Sequence, residues 1–147
     1  MRTRVIDYNA AEPRRRFNLA TATTIPHSPN RMRLATIRLN TGPNRDTDDN
    51  KVELIGTVGV RGVTGISQLL FRIFRDGREI FDTQQGIESA GSEQNYAVTF
   101  QAIDSRVSGT HVYTLTVEDR ATGTTANVVG PISFSGLATR RTESTNV

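Results

Sequence analysis

Apolar residues in this chain return at every second position. Tyr96, Val98, Phe100 and Ala102 alternate with Ala97, Thr99 and Gln101, and Tyr113, Leu115 and Val117 alternate with Thr114, Thr116 and Glu118. Val52, Leu54, Val58 and Val60 share one parity, as do Val128, Ile132 and Phe134. A repeat of two belongs to a strand, whose successive side chains point to opposite faces; a helix would repeat at about 3.6. No window of ten or more residues carries a helical stripe. Thr, Val, Ile, Phe and Tyr, which fill these segments, suit a pleated, half-buried surface. The expectation is an all-β fold.

Turn chemistry divides the strands. In Phe71-Arg72-Ile73-Phe74-Arg75-Asp76-Gly77-Arg78-Glu79-Ile80-Phe81, Asp-Gly separates two apolar-rich runs. Gly accepts positive φ at little cost, so this reads as a two-residue hairpin. That register sets Ile73 against Ile80 and Arg75 against Arg78. Two like charges facing each other repel, so acids nearby or a neighbouring subunit are expected to relieve them. A second turn is expected over Asp119–Gly123. Polar Gln84–Gln94, with Gly86 and Gly91, reads as a loop. Eight strands follow, at 19–25, 31–40, 51–60, 68–75, 78–84, 94–103, 110–118 and 125–136. Regular short strands of this number predict an eight-stranded jelly-roll-type β-sandwich. Gly56, Gly59, Gly62 and Gly65, three apart, are expected to mark a strand, its turn and a close backbone approach. Four such repeats without proline do not make a collagen helix.

The organisation expected is a sandwich over 19–138, an extended N-terminal arm over 1–18 and a polar, frayed tail over 139–147. The arm carries apolar residues in two groups, Val5, Ile6 and Tyr8, then Phe17 and Leu19, around Pro13 and Arg14-Arg15-Arg16. The formal charge of +3 sits at the termini. Residues 1–30 hold five Arg against Asp7 and Glu12, whereas 31–138 hold 11 basic and 12 acidic side chains. Of 18 basic residues 17 are Arg, with Lys51 the exception. Planar, multidentate Arg suits persistent ion pairs between subunits.

Several chemistries find no support. With no cysteine, the chain has no disulfide, thiolate metal ligand or catalytic thiol. The longest mostly apolar run, near Val52–Val63, falls short of the roughly 20 residues of a membrane span. No apolar stretch follows the positive start, so no secretory signal is read there. His27 and His111 are the two histidines, and no Gly-x-Ser-x-Gly elbow places a nucleophile beside either. The single Lys is not followed by Ser or Thr, which excludes a phosphate-cradling P-loop. Asp46-Thr47-Asp48-Asp49-Asn50 opens like a calcium loop, yet Lys51 stands where the EF-hand needs Gly and Thr57 where it needs Glu. No catalytic residue, cofactor or metal is expected.

The segments Arg4-Val5-Ile6-Asp7-Tyr8-Asn9-Ala10-Ala11-Glu12-Pro13 and Phe17-Asn18-Leu19-Ala20-Thr21-Ala22-Thr23-Thr24 resemble the N-terminus of exosporium protein C-like proteins of Bacillus-type spore formers. The body adds Val58-Gly59-Val60, Gly62-Val63-Thr64-Gly65-Ile66, Leu70–Gly77, Gln84–Ser89 and Thr125–Pro131, so the resemblance spans about residues 4–138. It implies a spore-surface or exosporium protein, made in the mother-cell cytoplasm without a signal peptide and released at lysis. More distantly, the organisation is similar to endospore appendage subunits, jelly rolls whose N-terminal connectors reach into neighbours to build fibres. This chain departs from them in having no cysteine.

The first functional expectation is therefore a structural, non-enzymatic subunit. Val5, Ile6, Tyr8, Phe17 and Leu19 would form the assembly interface by adding the arm as a strand to a neighbouring copy. Arg14, Arg15 and Arg16 would make inter-subunit ion pairs. A head-to-tail contact that does not close gives a helical fibre, and a closed one a ring such as a trimer. Other spore coat or exosporium proteins are possible partners; a membrane is not. The alternative is a carbohydrate- or coat-protein-binding module, which the scarcity of spare aromatics disfavours. A capsid-like nucleic-acid binder using Arg14–Arg16 ranks below both, because the arm offers few stacking aromatics.

Overall fold

A computed structural model describes residues 2–43 and 50–142. The strands are β1 (Arg2–Arg14), β2 (Thr23–Thr24), β3 (Met32–Asn40), β4 (Asn50–Thr64), β5 (Ser67–Arg75), β6 (Arg78–Ile87), β7 (Asn95–Ser105), β8 (Thr110–Asp119) and β9 (Thr125–Thr142). A 3-10 turn at Leu19–Thr21 joins β1 to β2. One antiparallel sheet runs β1-β9-β4-β7, with β2 also on β9; the other runs β3-β8-β5-β6. Both β1 and β2 pair with β9, at Ile132–Thr142 and at Asn127–Val128, while β4 takes the other edge of β9. Together, β1 and β2 are thus one interrupted strand. Counted so, two four-stranded sheets with this order make the expected eight-stranded jelly roll.

Alternate residues of both sheets fill the space between. Val52, Leu54, Val58, Val60, Phe134 and Ala138 from one sheet meet Leu39, Leu69, Phe71, Ile73, Leu115 and Val117 from the other, all essentially inaccessible to water. Phe100 of β7 lies 5.4 Å from Phe71 and 5.9 Å from Phe81, centroid to centroid, and so ties the sheets together. The parity of β7 continues one step past Ala102 to Asp104. There Asp104 accepts two hydrogen bonds of 2.7 Å from Arg75 and one of 2.8 Å from the buried Tyr113 hydroxyl. Arg75 and Tyr113 belong to the opposite sheet, so this contact bridges the layers.

The structure differs from the sequence expectations at identifiable places. Residues 19–25 are not one strand: the Asn18 side chain accepts from the Ala20 N–H and caps a turn, leaving only Thr23–Thr24 extended. Strand β6 runs on through Ile87, whose side chain is wholly buried, so the expected loop begins later than Gln84. The tail expected from residue 139 is strand as far as Thr142, because β1 pairs with it on one side and β4 on the other up to Arg140. The Asp76-Gly77 hairpin forms, with positive φ at both residues, and Arg75 faces Arg78 as expected. A register shift between Ile73 and Phe74 then sets Ile73 against Phe81 rather than Ile80. Asp104 supplies the acid that relieves Arg75. The Asp46–Asp49 run lies outside the described residues.

The three-residue glycine spacing marks close approaches. A Cβ on Gly56 would meet the Phe100 ring at 2.7 Å, and one on Gly62 the Glu88 carbonyl at 2.1 Å. Gly59 is tighter still. Its register partner is missing because β9 bulges between Val128 and Ile132, and the bulge carries the Gly130 carbonyl to 1.9 Å from where a Cβ would stand. A Cβ on Gly130 would in turn lie 2.3 Å from the Arg16 carbonyl. Three backbone segments therefore stack in direct contact: β4, the β9 bulge and the segment after β1.

Gly59→Ala should cost on the order of 3 kcal/mol, since only backbone movement relieves the clash. Gly77→Ala, at φ +84° with nothing within 4 Å, should cost about 1–2 kcal/mol from its left-handed backbone alone. Urea denaturation of the two variants checks the order.

Candidate assembly interface

Strand β1 has an unusual construction. Its ladder to β9 runs from Arg2–Thr142 to Arg14–Ile132, yet none of its 13 side chains is buried. Main-chain hydrogen bonds hold it more than side-chain packing does. The ladder breaks at two places, between Val5 and Asp7 and between Ala11 and Arg14. The second break contains Pro13, which has no N–H to give. At the open end Arg4 faces Arg140, a like-charge pair. Two polar contacts lead to the edge of the other sheet: Asp7 Oδ2 accepts from the Asn40 N–H at 2.8 Å, and Asn9 Nδ2 donates to the Arg38 carbonyl at 3.0 Å.

The structure thus sets the expected connector, over residues 2–14, on the chain's own sheet edge. The reason lies in β9. Its 18 residues outrun β2, and without β1 the edge from Ile132 onward would present unpaired peptide groups. The expected anchor residues divide into separate sets. Val5 and Tyr8 are exposed at 65% and 62%, whereas Ile6 leans against the core. Phe17 and Leu19 lie beyond the strand, about half exposed. Phe17 lines a shallow apolar hollow with Val60, Tyr96, Val129 and Pro131.

The three arginines are not equivalent. Arg14 donates to the Val128 carbonyl at 3.3 Å and to Thr23 Oγ1 at 2.6 Å, which fastens the end of β1 to β2 and β9. Arg15 pairs with Glu12 on the surface at 3.0 Å. Arg16 supplies the carbonyl packed on Gly130. Their side chains border a second concave patch with Asn18 and Thr21. The Asn18 N–H donates to the Val129 carbonyl at 2.8 Å, pinning this hinge to the bulge.

Each histidine lies beside a carboxylate. His27 Nε2 lies 3.5 Å from Asp119 Oδ2, while the neighbouring Ser28 gives its hydroxyl to Glu118. Hydroxyl and imidazole therefore have different carboxylates, and no hydrogen bond joins them. Asp119 is fully buried and organises the β8–β9 turn, accepting from Gln68 N–H, Ala121 N–H and Thr124 Oγ1. At the other end of the sandwich, His111 has both ring nitrogens engaged, Nδ1 with Asp76 at 2.6 Å and Nε2 with the Ser108 carbonyl at 2.5 Å. Among the described residues no three His, Asp or Glu side chains gather as metal ligands, and no helix is long and apolar enough to cross a membrane.

No family model and no curated protein matches the chain. Solved structures do. A chain of infectious bursal disease virus, Gt strain, is similar over 95% of this protein with a TM-score of 0.53 and 9% identity. A chain of the Gx strain is similar over 99%, with a TM-score of 0.50 and 10% identity. The likeness is one of fold. This protein spans only 39% and 38% of the length of those two viral chains.

Parity sets Tyr113 inward, and it is fully buried; the roles of Asp104 and Asp119 are not among the sequence expectations, although Asp104 is the next inward position after Ala102 and Asp119 opens the expected turn. Asp76 and Tyr113 are displaced from their ordinary acidity. The His111 hydrogen bond, followed by the Val112 N–H, holds Asp76 below its ordinary 3.8. Burial, followed by the bond to Asp104, pushes Tyr113 well above its ordinary 10.0. Asp76 therefore contributes stability that is complete above the unfolded value of 3.8 and is lost as pH falls through the lower folded value. Tyr113 keeps its proton when folded, so stability is lost as pH rises past 10.0, where the unfolded chain ionises. Denaturant titrations across pH should show a plateau with two falling limbs. Asp76→Asn should shallow the acid limb and Tyr113→Phe the alkaline one.

Proposed function

We propose that this protein is a non-enzymatic structural subunit that assembles with copies of itself by exchanging β1. The observation that carries the reading is the strand just described: 13 residues that cover the β9 edge without burying a side chain. Such a strand gives up little buried apolar surface when it leaves; its chief loss is a ladder of main-chain hydrogen bonds. The same hydrogen bonds and the same register are recovered when the β1 of another copy lies on β9, so cis and trans occupancy differ chiefly in where the chain crosses between bodies. The segment 15–22 is the place where that crossing occurs. Strand exchange reconciles the expected connector arm with its place in the single chain.

The jelly-roll fold supports an assembling role, being a sandwich whose sheets end on edge strands at β7 and β6. So does the likeness to chains of a virus, although that likeness extends to the fold alone. The exosporium-type resemblance of residues 4–138 supports a spore surface as the setting, with a fibre or layer as the product. Without cysteine, cohesion there rests on main-chain pairing, apolar contact and ion pairs.

The absence of native cysteine makes a direct test possible. Tyr8 faces Leu137 across the β1–β9 ladder. A chain carrying both Tyr8→Cys and Leu137→Cys is assembled, oxidised and run on a non-reducing gel, with electron microscopy of the same sample. Filaments or particles with a ladder of linked chains are the expected result. Filaments or particles in which every chain is linked only to itself would show β1 staying at home and would overturn strand exchange. Small particles alone would overturn self-assembly.

A further inference from the structure

The outer face of the β3–β8–β5–β6 sheet holds a concave site of about 280 Å3, lined by Arg31, Arg33, Phe74, Gly77, Thr114 and Thr116. The register explains how it is built. Thr116 of β8 lies between Arg33 of β3 and Arg72 of β5, and Thr114 lies between Thr36 and Phe74. Two cross-strand rows therefore form a floor of threonines walled by arginines and one aromatic ring.

The charges on this floor are uneven. Arg72 is paired with two carboxylates, Glu118 at 2.8 Å and Glu79, so its positive charge is more than offset. Arg31 and Arg33 are exposed, and no carboxylate among the described residues pairs with either. The Arg31 guanidinium instead stacks on Phe74, 4.5 Å from the ring centroid. Stacking fixes the plane of the guanidinium while its N–H edges remain available. Beneath them, Thr116 is only 5% exposed and its hydroxyl has no hydrogen-bond partner. Buried polar groups are nearly always satisfied, so an unsatisfied hydroxyl at the floor of a basic hollow points to a missing polar group.

We propose that this site binds an acidic saccharide, one carboxylated sugar ring at a time. A carboxylate matches the flat donor edges of two arginines, which take an oxyanion side-on. The hollow is larger than a lone carboxylate or phosphate fills and lies near the lower limit of small-ligand pockets, as suits a single ring. Threonine hydroxyls both donate and accept, as sugar hydroxyls do, and Thr116 offers the unmet bond. Glu79 and Glu118 share the single guanidinium of Arg72, a cluster of net negative charge that the two unpaired cations Arg31 and Arg33 together outweigh. The site lies on the sheet that does not contain β1, and its occupation is independent of strand exchange.

Calorimetric titration of the full chain with trigalacturonic acid tests the assignment, with a neutral galactose trimer and inorganic phosphate as controls. Saturable binding of the acidic trimer alone is expected. Arg31→Ala and Arg33→Ala should each weaken it about tenfold or more while leaving Tm unchanged. Arg31→Lys keeps the charge and loses the fork, and it should weaken binding too. Thr116→Val should lower affinity about threefold or more with no loss of Tm. No saturation by the acidic trimer, equal binding of either control, or undiminished affinity in Arg31→Lys would each overturn the proposal.

Discussion

Strand β9 is paired along both edges, and the rest of the sandwich is laid out from that fact. Its 18 residues carry β4 on one side and the interrupted β1–β2 strand on the other. A strand paired on both edges has no spare peptide groups, so its path is fixed by its neighbours. The one place where it escapes them, between Val128 and Ile132, is where the chain before it crosses over and packs. The absence of a Cβ at Gly59 and Gly130 is what lets three backbones occupy that crossing.

Polar contacts close the two ends of the sandwich. At one end Asp104 reaches across the layers to Arg75 and Tyr113; at the other Asp119 gathers the turn that leads into β9. Buried ion pairs are a poor source of net stability, because desolvation offsets most of the attraction. Their effect here is selective. Only one mutual placement of the sheets leaves Asp104, Arg75 and the tyrosine hydroxyl all satisfied, and a slipped packing would strand a charge.

Much of this fold was legible from alternation and turn chemistry, because half-buried strands write their exposure directly into the sequence. Seven of the eight expected strands stand close to where they were read, and Asp76-Gly77 turns as Asp-Gly should. The first strand was not legible. Val5, Ile6 and Tyr8 do not alternate, since β1 buries no side chain and a register shift separates Val5 from Asp7. The hollow around Thr116 was illegible for a different reason. Arg33, Phe74 and Thr116 come from three strands, Arg31 is the residue just before β3, and only sheet order brings them together. Arg14 was read for its charge, whereas much of its bonding is to a carbonyl and a hydroxyl of the chain itself.

The contact of Gly59, Gly130 and Arg16 also acts as a ruler. A one-residue slip of β9 would set Val129 or Pro131 where Gly130 now stands, and a Cβ there would lie 2.3 Å from the Arg16 carbonyl. Since the segment after β1 is gauged against the same point, β1 meets β9 at one offset, whichever chain supplies it. A row of subunits joined in this way would repeat at a constant step, with its pitch written into two glycines rather than into any surface between the subunits.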